Sequence, residues 1–212
     1  MQLLFDFGGV LVDLDKECCI RAFAELGFDL RPYIGTYAQA GFLSKLERGE
    51  SDIPQFCDEL RALSGNAALT NEQIVGAWER YLVTVPEERL EALLRAKRHY
   101  PIHVLSNTNP VHWAMAERIY FRYKGLGVAD FFDHIFLSYE MGLEKPSPAI
   151  FQRVVQTLGC RPEEVLFFDD SEVNCAAARA EGLQSWIAPA GSGWLKYFDA
   201  DGRLIPEAAP LL

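Results

Sequence analysis

Four short apolar segments, each running into polar residues, constrain the fold of this sequence more than any other feature. Apolar runs of this length are typical of strands that are buried on both faces of a parallel sheet. Amphipathic helical patterns over residues 86–100 and 146–159 accompany the later segments, and alternation of strand and helix favours a parallel sheet. We therefore predict an α/β fold, a Rossmann-like parallel sheet with helices on both faces. The predicted strands cover residues 3–7, 102–107, 134–138 and 164–170.

The chain between the first and second predicted strands is much longer than one crossover helix needs. Residues 15–85 carry several amphipathic stretches and no convincing strand. We interpret them as an all-helical insertion, a small α-helical cap over the carboxyl edge of the sheet. The predicted domains are therefore a catalytic core, formed by residues 1–14 and 86–212, and a helical cap formed by residues 15–85.

Charge and cysteine content limit the partners and the compartment. The formal net charge of −10 argues against nucleic acid or an anionic membrane as the main partner. No apolar stretch approaches the roughly 18 residues that a membrane-spanning helix needs. The five cysteines form no CxxC pair, and the first strand pattern begins at residue 2 without a signal-like segment, so we expect a reduced, cytoplasmic protein. Monomer and homodimer both remain open.

Polar side chains follow the apolar segments at the point where each predicted strand ends. Ligands of open α/β sheets bind at the carboxyl ends of the strands, so we expect these groups to meet in one site if the strands are neighbours. The candidates are Asp6 after the first strand, Ser106 and Asn107 after the second, Lys145 in the loop after the third, and Asp169 and Asp170 after the fourth.

Three carboxylates in one site would repel one another and raise at least one pKa unless a cation neutralised them. Lys145 offsets one charge, which leaves about two, the charge of a single Mg²⁺. Ligation by carboxylate oxygens alone also suits a hard divalent cation better than zinc. One aspartate at a strand end is more often a turn or cap residue, but the combination of all these groups in order predicts a magnesium site.

These segments resemble the motifs of the haloacid dehalogenase superfamily of aspartate-nucleophile phosphatases, over essentially the whole chain. FDFGGVLVD resembles the first motif, VLSNT the second, the lysine of LEKPSP the third and FFDDS the fourth. Together with LERGE at 46–50 and Asn174, these motifs look most like the bacterial branch that includes the α-D-glucose-1-phosphate phosphatase. The predicted helical insertion is similar to the small α-helical cap of that branch. The resemblance implies Mg²⁺-dependent hydrolysis of a small phosphorylated metabolite, such as a sugar phosphate.

The resemblance also implies a role for each candidate residue. Asp6 would be the nucleophile that forms an aspartyl-phosphate. Ser106 and Asn107 would hydrogen-bond the phosphoryl oxygens, and Lys145 would balance the charge of the nucleophile and the phosphate. The metal would be held by Asp6, the backbone carbonyl of Gly8, Asp169 and Asp170.

The sequence departs from this family pattern at Gly8, where most phosphatases of the superfamily carry a second aspartate that acts as general acid and base. Losing a general acid typically costs about 10² to 10⁴ in rate. Three consequences of this glycine remain open: the enzyme is slow, solvent or the cap supplies the proton, or the substrate has a leaving group that needs little protonation, as a sugar 1-phosphate has. Asp13 is a conceivable substitute acid, but we expect it to be a cap or turn residue.

Two other functions remain open from the sequence. One is a 2-haloacid dehalogenase, in which the aspartate attacks carbon without a metal; the Asp169–Asp170 pair argues against it. The other is a non-catalytic phosphate-binding protein, for which Gly8 is the only argument.

Overall fold

The structure is a computed structural model that describes residues 1–36, 38–189 and 191–208. A five-stranded sheet forms the centre of the described part, with strand order β5-β4-β1-β6-β7 and all neighbours parallel. Its strands are β1 (Gln2–Phe5), β4 (Ile102–Ser106), β5 (His134–Leu137), β6 (Val165–Asp169) and β7 (Gln184–Ile187), and a two-stranded antiparallel ribbon is formed by β2 (Asp13–Leu14) and β3 (Leu82–Thr84). The predicted α/β fold with a parallel sheet is confirmed.

Helices follow the strands along the chain. Those between β2 and β3 are α1 (Lys16–Glu25), α2 (Gly41–Glu47), α3 (Ile53–Ser64) and α4 (Asn71–Glu79). The remaining helices are α5 (Glu87–Ala96), α6 (Pro110–Met115), α7 (Val128–Phe131), α8 (Ser138–Met141), α9 (Pro148–Leu158) and α10 (Glu172–Ala180), with a π-helical turn over Ala116–Tyr120 and 3₁₀ turns over Pro162–Glu164 and Ser192–Tyr197.

Strand β1 lies in the middle of the sheet because its side chains are apolar on both faces. Leu3, Leu4 and Phe5 are fully buried. Leu3 and Phe5 belong to one hydrophobic cluster and Leu4 to another, as the alternation of side chains along a strand requires. Layers of apolar side chains therefore cover both faces of the sheet, and the strand holds Asp6 at its carboxyl end.

The predicted strands match β1, β4, β5 and β6 to within two residues at each end, but β7 and the ribbon are missing from the prediction. All four residues of β7 are only half-buried, so QSWI lacks the continuous apolar run that marks the central strands. Strand β3 is three residues long, and it corrects the expectation that residues 15–85 contain no strand.

The chain between β2 and β3 forms a helical insertion, and its role as a cap stays a prediction. Helices α1 to α4 pack on one another, with contacts between α1 and α4, α2 and α3, and α3 and α4. The β2–β3 ribbon closes the insertion where the chain leaves and re-enters the rest of the molecule. The predicted cap includes residue 37 and the predicted core includes residues 190 and 209–212, which lie outside the described residues.

Within the part of the chain described, no helix combines the length and the apolar character needed to cross a bilayer.

Candidate active site

The predicted site residues converge at the carboxyl ends of the three central strands. Asp6 follows β1, while Ser106 and Asp169 are the last residues of the neighbouring strands β4 and β6. Lys145 reaches the same place from the loop between α8 and α9. A cavity at this edge is lined by most of the predicted residues, namely Asp6, Gly8, Ser106, Asn107, Lys145 and Asp170.

Lys145 links two of the carboxylates inside the protein. Its Nζ lies 2.7 Å from Oδ1 of Asp6, 2.6 Å from Oδ2 of Asp169 and 3.1 Å from the carbonyl oxygen of Leu105. Burial by itself would lower the pKa of Lys145, but the charges of Asp169 and Asp6 outweigh that effect and raise the pKa above its ordinary value. The lysine therefore stays charged, and all three of its protons have acceptors.

Both carboxylate oxygens of Asp169 are engaged by protein donors. Oδ1 accepts from the backbone N–H of Ser171 at 2.8 Å, Oδ2 faces Lys145, and Nδ2 of Asn174 lies 3.1 and 3.2 Å from the two oxygens. Asp169 is fully buried. This side chain thus connects β6, the start of α10 and Lys145 into one hydrogen-bonded unit.

Asp170 differs from its neighbour because no side chain or backbone N–H of another described residue hydrogen-bonds its carboxylate. One oxygen from each of Asp6, Asp169 and Asp170 lies within 4.8 Å of the others. Burial and repulsion from Asp169 raise the pKa of Asp170 to about 6, against the opposing charge of Lys145. Burial, only partly offset by Lys145, raises the pKa of Asp6 to about 7, with repulsion from Asp169 and Asp170 adding to it. The cluster therefore carries more negative charge than Lys145 alone neutralises.

The two glycines after Asp6 have different structural roles. Gly9 has φ of 77°, and a Cβ built on it would lie 2.5 Å from Oδ2 of Asp170, so a side chain there would displace that carboxylate. Gly8 has ordinary backbone angles, and its added Cβ would make only a normal contact with Leu14. Within the described residues, the carbonyl oxygen of Gly8 accepts no hydrogen bond, so it remains available to a ligand.

Ser106 and Asn107 reach the cavity in different ways. The Asn107 side chain braces the lysine loop, because its Nδ2 donates to the carbonyl oxygen of Lys145 and its Oδ1 accepts from the Lys145 N–H, both at 2.8 Å. The Ser106 hydroxyl lines the cavity and has no hydrogen-bond partner in the described part of the chain. Asn107 therefore positions Lys145 as well as facing the cavity.

The insertion supplies part of the cavity wall, which the sequence did not reveal. The cavity measures about 80 Å³, several times the roughly 10–15 Å³ that one water needs. The lining residues from the insertion are Thr36, Gln39, Glu47, Tyr81 and Leu82, and His112 from α6 also lines the cavity. Among the residues that the insertion contributes to this wall, only Glu47, within LERGE, carried a signal in the sequence, and that signal was a resemblance that assigned it no role.

The expectation for Asp13 is wrong in detail. Asp13 lies in β2, and its Oδ1 is 2.7 Å from Nη2 of Arg89, whose side chain is buried. The residue that caps α1 is Asp15, which accepts a hydrogen bond from the N–H of Cys18 at 2.8 Å. Asp13 therefore forms an ion pair with Arg89, at the strand where the insertion begins, and does not line the cavity around Asp6.

Comparisons with known proteins identify relatives over most of the chain. A family model described as haloacid dehalogenase-like hydrolase matches residues 2–182. A D-ribitol-5-phosphate phosphatase of Bacteroides thetaiotaomicron is 33% identical over 196 residues, 91% of this chain and 94% of that protein. A glyceraldehyde 3-phosphate phosphatase of Pyrococcus furiosus is 31% identical over 91 residues, 42% of this chain and 35% of that protein.

Solved structures of the same family also match this chain over most of its length. A crystal structure of a haloacid dehalogenase family enzyme from Bacteroides thetaiotaomicron, in complex with magnesium and inorganic phosphate, matches with a TM-score of 0.86 and 36% identity, over 93% of this chain and 98% of that one. The proposed placement in the α-D-glucose-1-phosphate phosphatase branch stays a prediction.

Proposed function

This chain belongs to the haloacid dehalogenase-like hydrolase family, and from that premise we propose that it is a Mg²⁺-dependent phosphatase of small phosphorylated metabolites that uses Asp6 as nucleophile. The observation that carries the proposal is the position of Asp6. Lys145 holds Oδ1 of Asp6 at 2.7 Å, while Oδ2 accepts no hydrogen bond from the described residues. A carboxylate fixed on one side and free on the other, at the floor of a cavity, is suited to attack phosphorus.

The residues around Asp6 fit a magnesium ion. Carboxylate oxygens within 4.8 Å of one another and the free carbonyl of Gly8 are the hard ligands that Mg²⁺ prefers. We assign Asp6, Gly8 and Asp170 as direct ligands. Asp169 belongs to the predicted set as well, but because its oxygens are occupied by Lys145, Ser171 and Asn174, we assign it to positioning. Bound there, Mg²⁺ would offset the charge of the carboxylates and of the phosphoryl group.

The remaining residues would bind and balance the transferring group. Phosphoryl transfer depends mostly on positioning and electrostatic stabilisation. The free hydroxyl of Ser106 and the second amide hydrogen of Asn107 can donate to phosphoryl oxygens, and Lys145 supplies the positive charge. Asp6 would form an aspartyl-phosphate as the leaving oxygen departs, and water would then release phosphate from Asp6.

The substrate class follows from the cavity wall and the relatives. Thr36, Gln39 and Tyr81 also line the cavity, and their hydroxyl and amide groups can hydrogen-bond the hydroxyls of a sugar or polyol. The Bacteroides thetaiotaomicron relative is named for ribitol 5-phosphate. We therefore propose a sugar or polyol phosphate as substrate, with residues 15–85 acting as the cap that selects it and residues 1–14 and 86–212 as the catalytic core.

The two alternative functions have less support. Attack on carbon, as in a 2-haloacid dehalogenase, does not need a cation, yet the cluster of Asp6, Asp169 and Asp170 holds excess negative charge and free oxygen ligands. A non-catalytic phosphate-binding role rests on Gly8 alone, whereas the nucleophile, its lysine and the free Ser106 hydroxyl are all in place.

The proposal is tested by Mg²⁺-dependent phosphate release from p-nitrophenyl phosphate and from a panel of sugar and polyol phosphates. Asp6→Asn should abolish release, while Asp29→Asn, at an exposed ion pair with Arg31, should leave it unchanged. Activity on 2-haloacids that survives EDTA would favour the dehalogenase. Binding of phosphorylated sugars without phosphate release would favour the non-catalytic role.

A further inference from the structure

The phosphatase proposed above needs a proton donor for the leaving oxygen, and Gly8 provides none. Several groups at the cavity are already committed. Lys145 has an acceptor for each proton. His112 lies 3.0 Å from the Trp78 carbonyl through Nε2 and 3.1 Å from Nδ2 of Asn109 through Nδ1, and burial lowers its pKa to about 4. His112 is therefore neutral, and its proton on Nε2 is donated to the Trp78 carbonyl oxygen.

Two further acids, Tyr81 and Glu47, line the cavity from the insertion. Burial, with repulsion from Glu47, raises the pKa of Tyr81 to about 12. A general acid works best when its pKa lies near the operating pH, so Tyr81 is the weaker candidate.

Glu47 is held firmly against the core. It is the last residue of α2, and its carbonyl oxygen accepts from the Ser138 hydroxyl at 2.6 Å. The same hydroxyl accepts from the N–H of Thr108 at 3.0 Å, one residue after Asn107. The turn that follows packs tightly as well, because a Cβ added to Gly49 would lie 2.1 Å from the carbonyl oxygen of Tyr139. The position of Glu47 relative to the end of β4 is thus fixed by two separate contacts.

The Glu47 carboxyl group faces the cavity without a partner. The residue is 9% exposed and lines the same cavity as Asp6, and none of the described residues hydrogen-bonds or ion-pairs its side chain. The charged and titratable groups that interact with it electrostatically are Glu144, Arg48 and Tyr81. Burial, and then repulsion from Glu144, raises the pKa of Glu47 to about 8 despite the opposing charge of Arg48. The carboxyl group therefore carries a proton at neutral pH.

We propose that Glu47 is the general acid and base of this site, in the role that Gly8 cannot fill; the inference rests on the phosphatase function proposed above. As Asp6 attacks phosphorus and the bond from phosphorus to the leaving oxygen breaks, Glu47 gives its proton to that oxygen and becomes a carboxylate. In the second half, the Glu47 carboxylate takes a proton from water, whose oxygen attacks phosphorus. The bond between phosphorus and Asp6 breaks, which releases phosphate and restores Glu47 to its protonated form.

Two substrates that differ in the leaving group test this role in Glu47→Gln. A polyol phosphate releases an alkoxide that must be protonated, so its kcat/KM should fall by about 10² to 10⁴. p-Nitrophenyl phosphate releases a stable anion, so the rate of the initial burst of p-nitrophenol should stay within about threefold of the wild-type rate. Turnover after the burst should slow, because water attack lacks its base. Glu50→Gln, in the same turn but exposed and paired with Arg48, should behave as wild type.

The pH profile adds a readout that a structural role would not move. For the polyol phosphate, wild-type kcat/KM should fall above about pH 8 as Glu47 loses its proton, and Glu47→Gln should lack this limb. In the metal-free protein at pH 7, where Asp6 is also partly protonated, the infrared C=O absorption of protonated carboxyl groups should decrease in Glu47→Gln. If Glu47→Gln slowed the first step equally for both substrates, or slowed it for neither, the proposed role of Glu47 would be overturned. Absence of Mg²⁺-dependent release by the wild type would instead refute the phosphatase function itself.

Discussion

Nζ of Lys145 lies 2.7 Å from Oδ1 of Asp6, although 139 residues separate the two in the chain. The same nitrogen lies 2.6 Å from Oδ2 of Asp169. All three side chains are buried, so a single cation stabilises two carboxylates in the interior. The fold and the chemistry of the site therefore depend on the same ion pair.

Lys145→Met should destabilise the protein by about 3–5 kcal/mol at pH 8, because it leaves buried carboxylates without their counter-charge. The loss should shrink as the pH falls toward 7 and below, because Asp6 without Lys145 has a pKa above the value of about 7 that it has beside the lysine, and the protonated form carries no charge to be compensated. Urea denaturation of the metal-free protein at both pH values measures this. Lys45→Met removes an exposed pair with Glu59 and should cost no more than about 1 kcal/mol. Equal losses in the two variants would contradict the assignment.

Magnesium affinity should fall as the pH drops from about 8 to about 5. Mg²⁺ binds the carboxylate form, and protons compete for Asp6 and Asp170, whose pKa values are raised to about 7 and about 6. Isothermal titration calorimetry across this range should show the apparent Kd rising toward low pH. An affinity independent of pH would argue against ligation by these two residues.

Asp170→Asn should weaken magnesium binding at pH 8 by about 10-fold to 100-fold or more. Glu172→Gln, two residues along and paired with Arg179 on the surface, should bind as wild type. Asp169→Asn should act mainly on stability, because it removes the buried negative charge beside Lys145 and leaves one side-chain oxygen where Lys145 and Ser171 use two. The same calorimetry, with a thermal melt of each variant, separates ligation from positioning.

The sequence predicted which residues meet at the carboxyl ends of the strands, but it did not predict which residues of the insertion line the same cavity. Asp6 was predictable because a buried parallel strand must be apolar throughout, so the first carboxylate marks the strand's end. The sequence could not predict which of Asp169 and Asp170 has free carboxylate oxygens, because that depends on which oxygens the N–H of Ser171 and Nζ of Lys145 reach. The place of Glu47 could not be predicted, because it reaches the same cavity as Asp6 only through the packing of the insertion on the core.

Asp13→Asn distinguishes a structural aspartate from a catalytic one. Asp13 bonds the buried guanidinium of Arg89 at 2.7 Å, so its loss should lower the free energy of unfolding by about 1.5–3 kcal/mol. It does not line the cavity around Asp6, so phosphatase activity of the folded variant should stay within about tenfold of wild type. Urea denaturation and steady-state kinetics measure the two effects. A loss of about 10² to 10⁴ in rate without destabilisation would make Asp13 the acid.

Gly49→Ala tests whether the contact between the insertion and the core positions Glu47. Gly49 and Gly65 share the same φ of 68°, but a Cβ on Gly49 would lie 2.1 Å from the Tyr139 carbonyl, whereas one on Gly65 has nothing within 4 Å. Gly65→Ala should therefore cost only the backbone strain of about 1–2 kcal/mol, and Gly49→Ala should cost about 1–3 kcal/mol more through overpacking.

The kinetics of Gly49→Ala and Gly65→Ala distinguish local backbone strain from a displacement of Glu47. If Gly49→Ala moves Glu47 away from the leaving oxygen, kcat/KM for a polyol phosphate should fall by about tenfold or more, while the p-nitrophenol burst stays near that of wild type. Gly65→Ala should alter neither, because its strain is confined to the end of α3. Since both variants add one methyl group at the same backbone conformation, any difference between them in kinetics reports the contact with Tyr139. Identical kinetics in the two variants would mean that this contact does not set the position of Glu47.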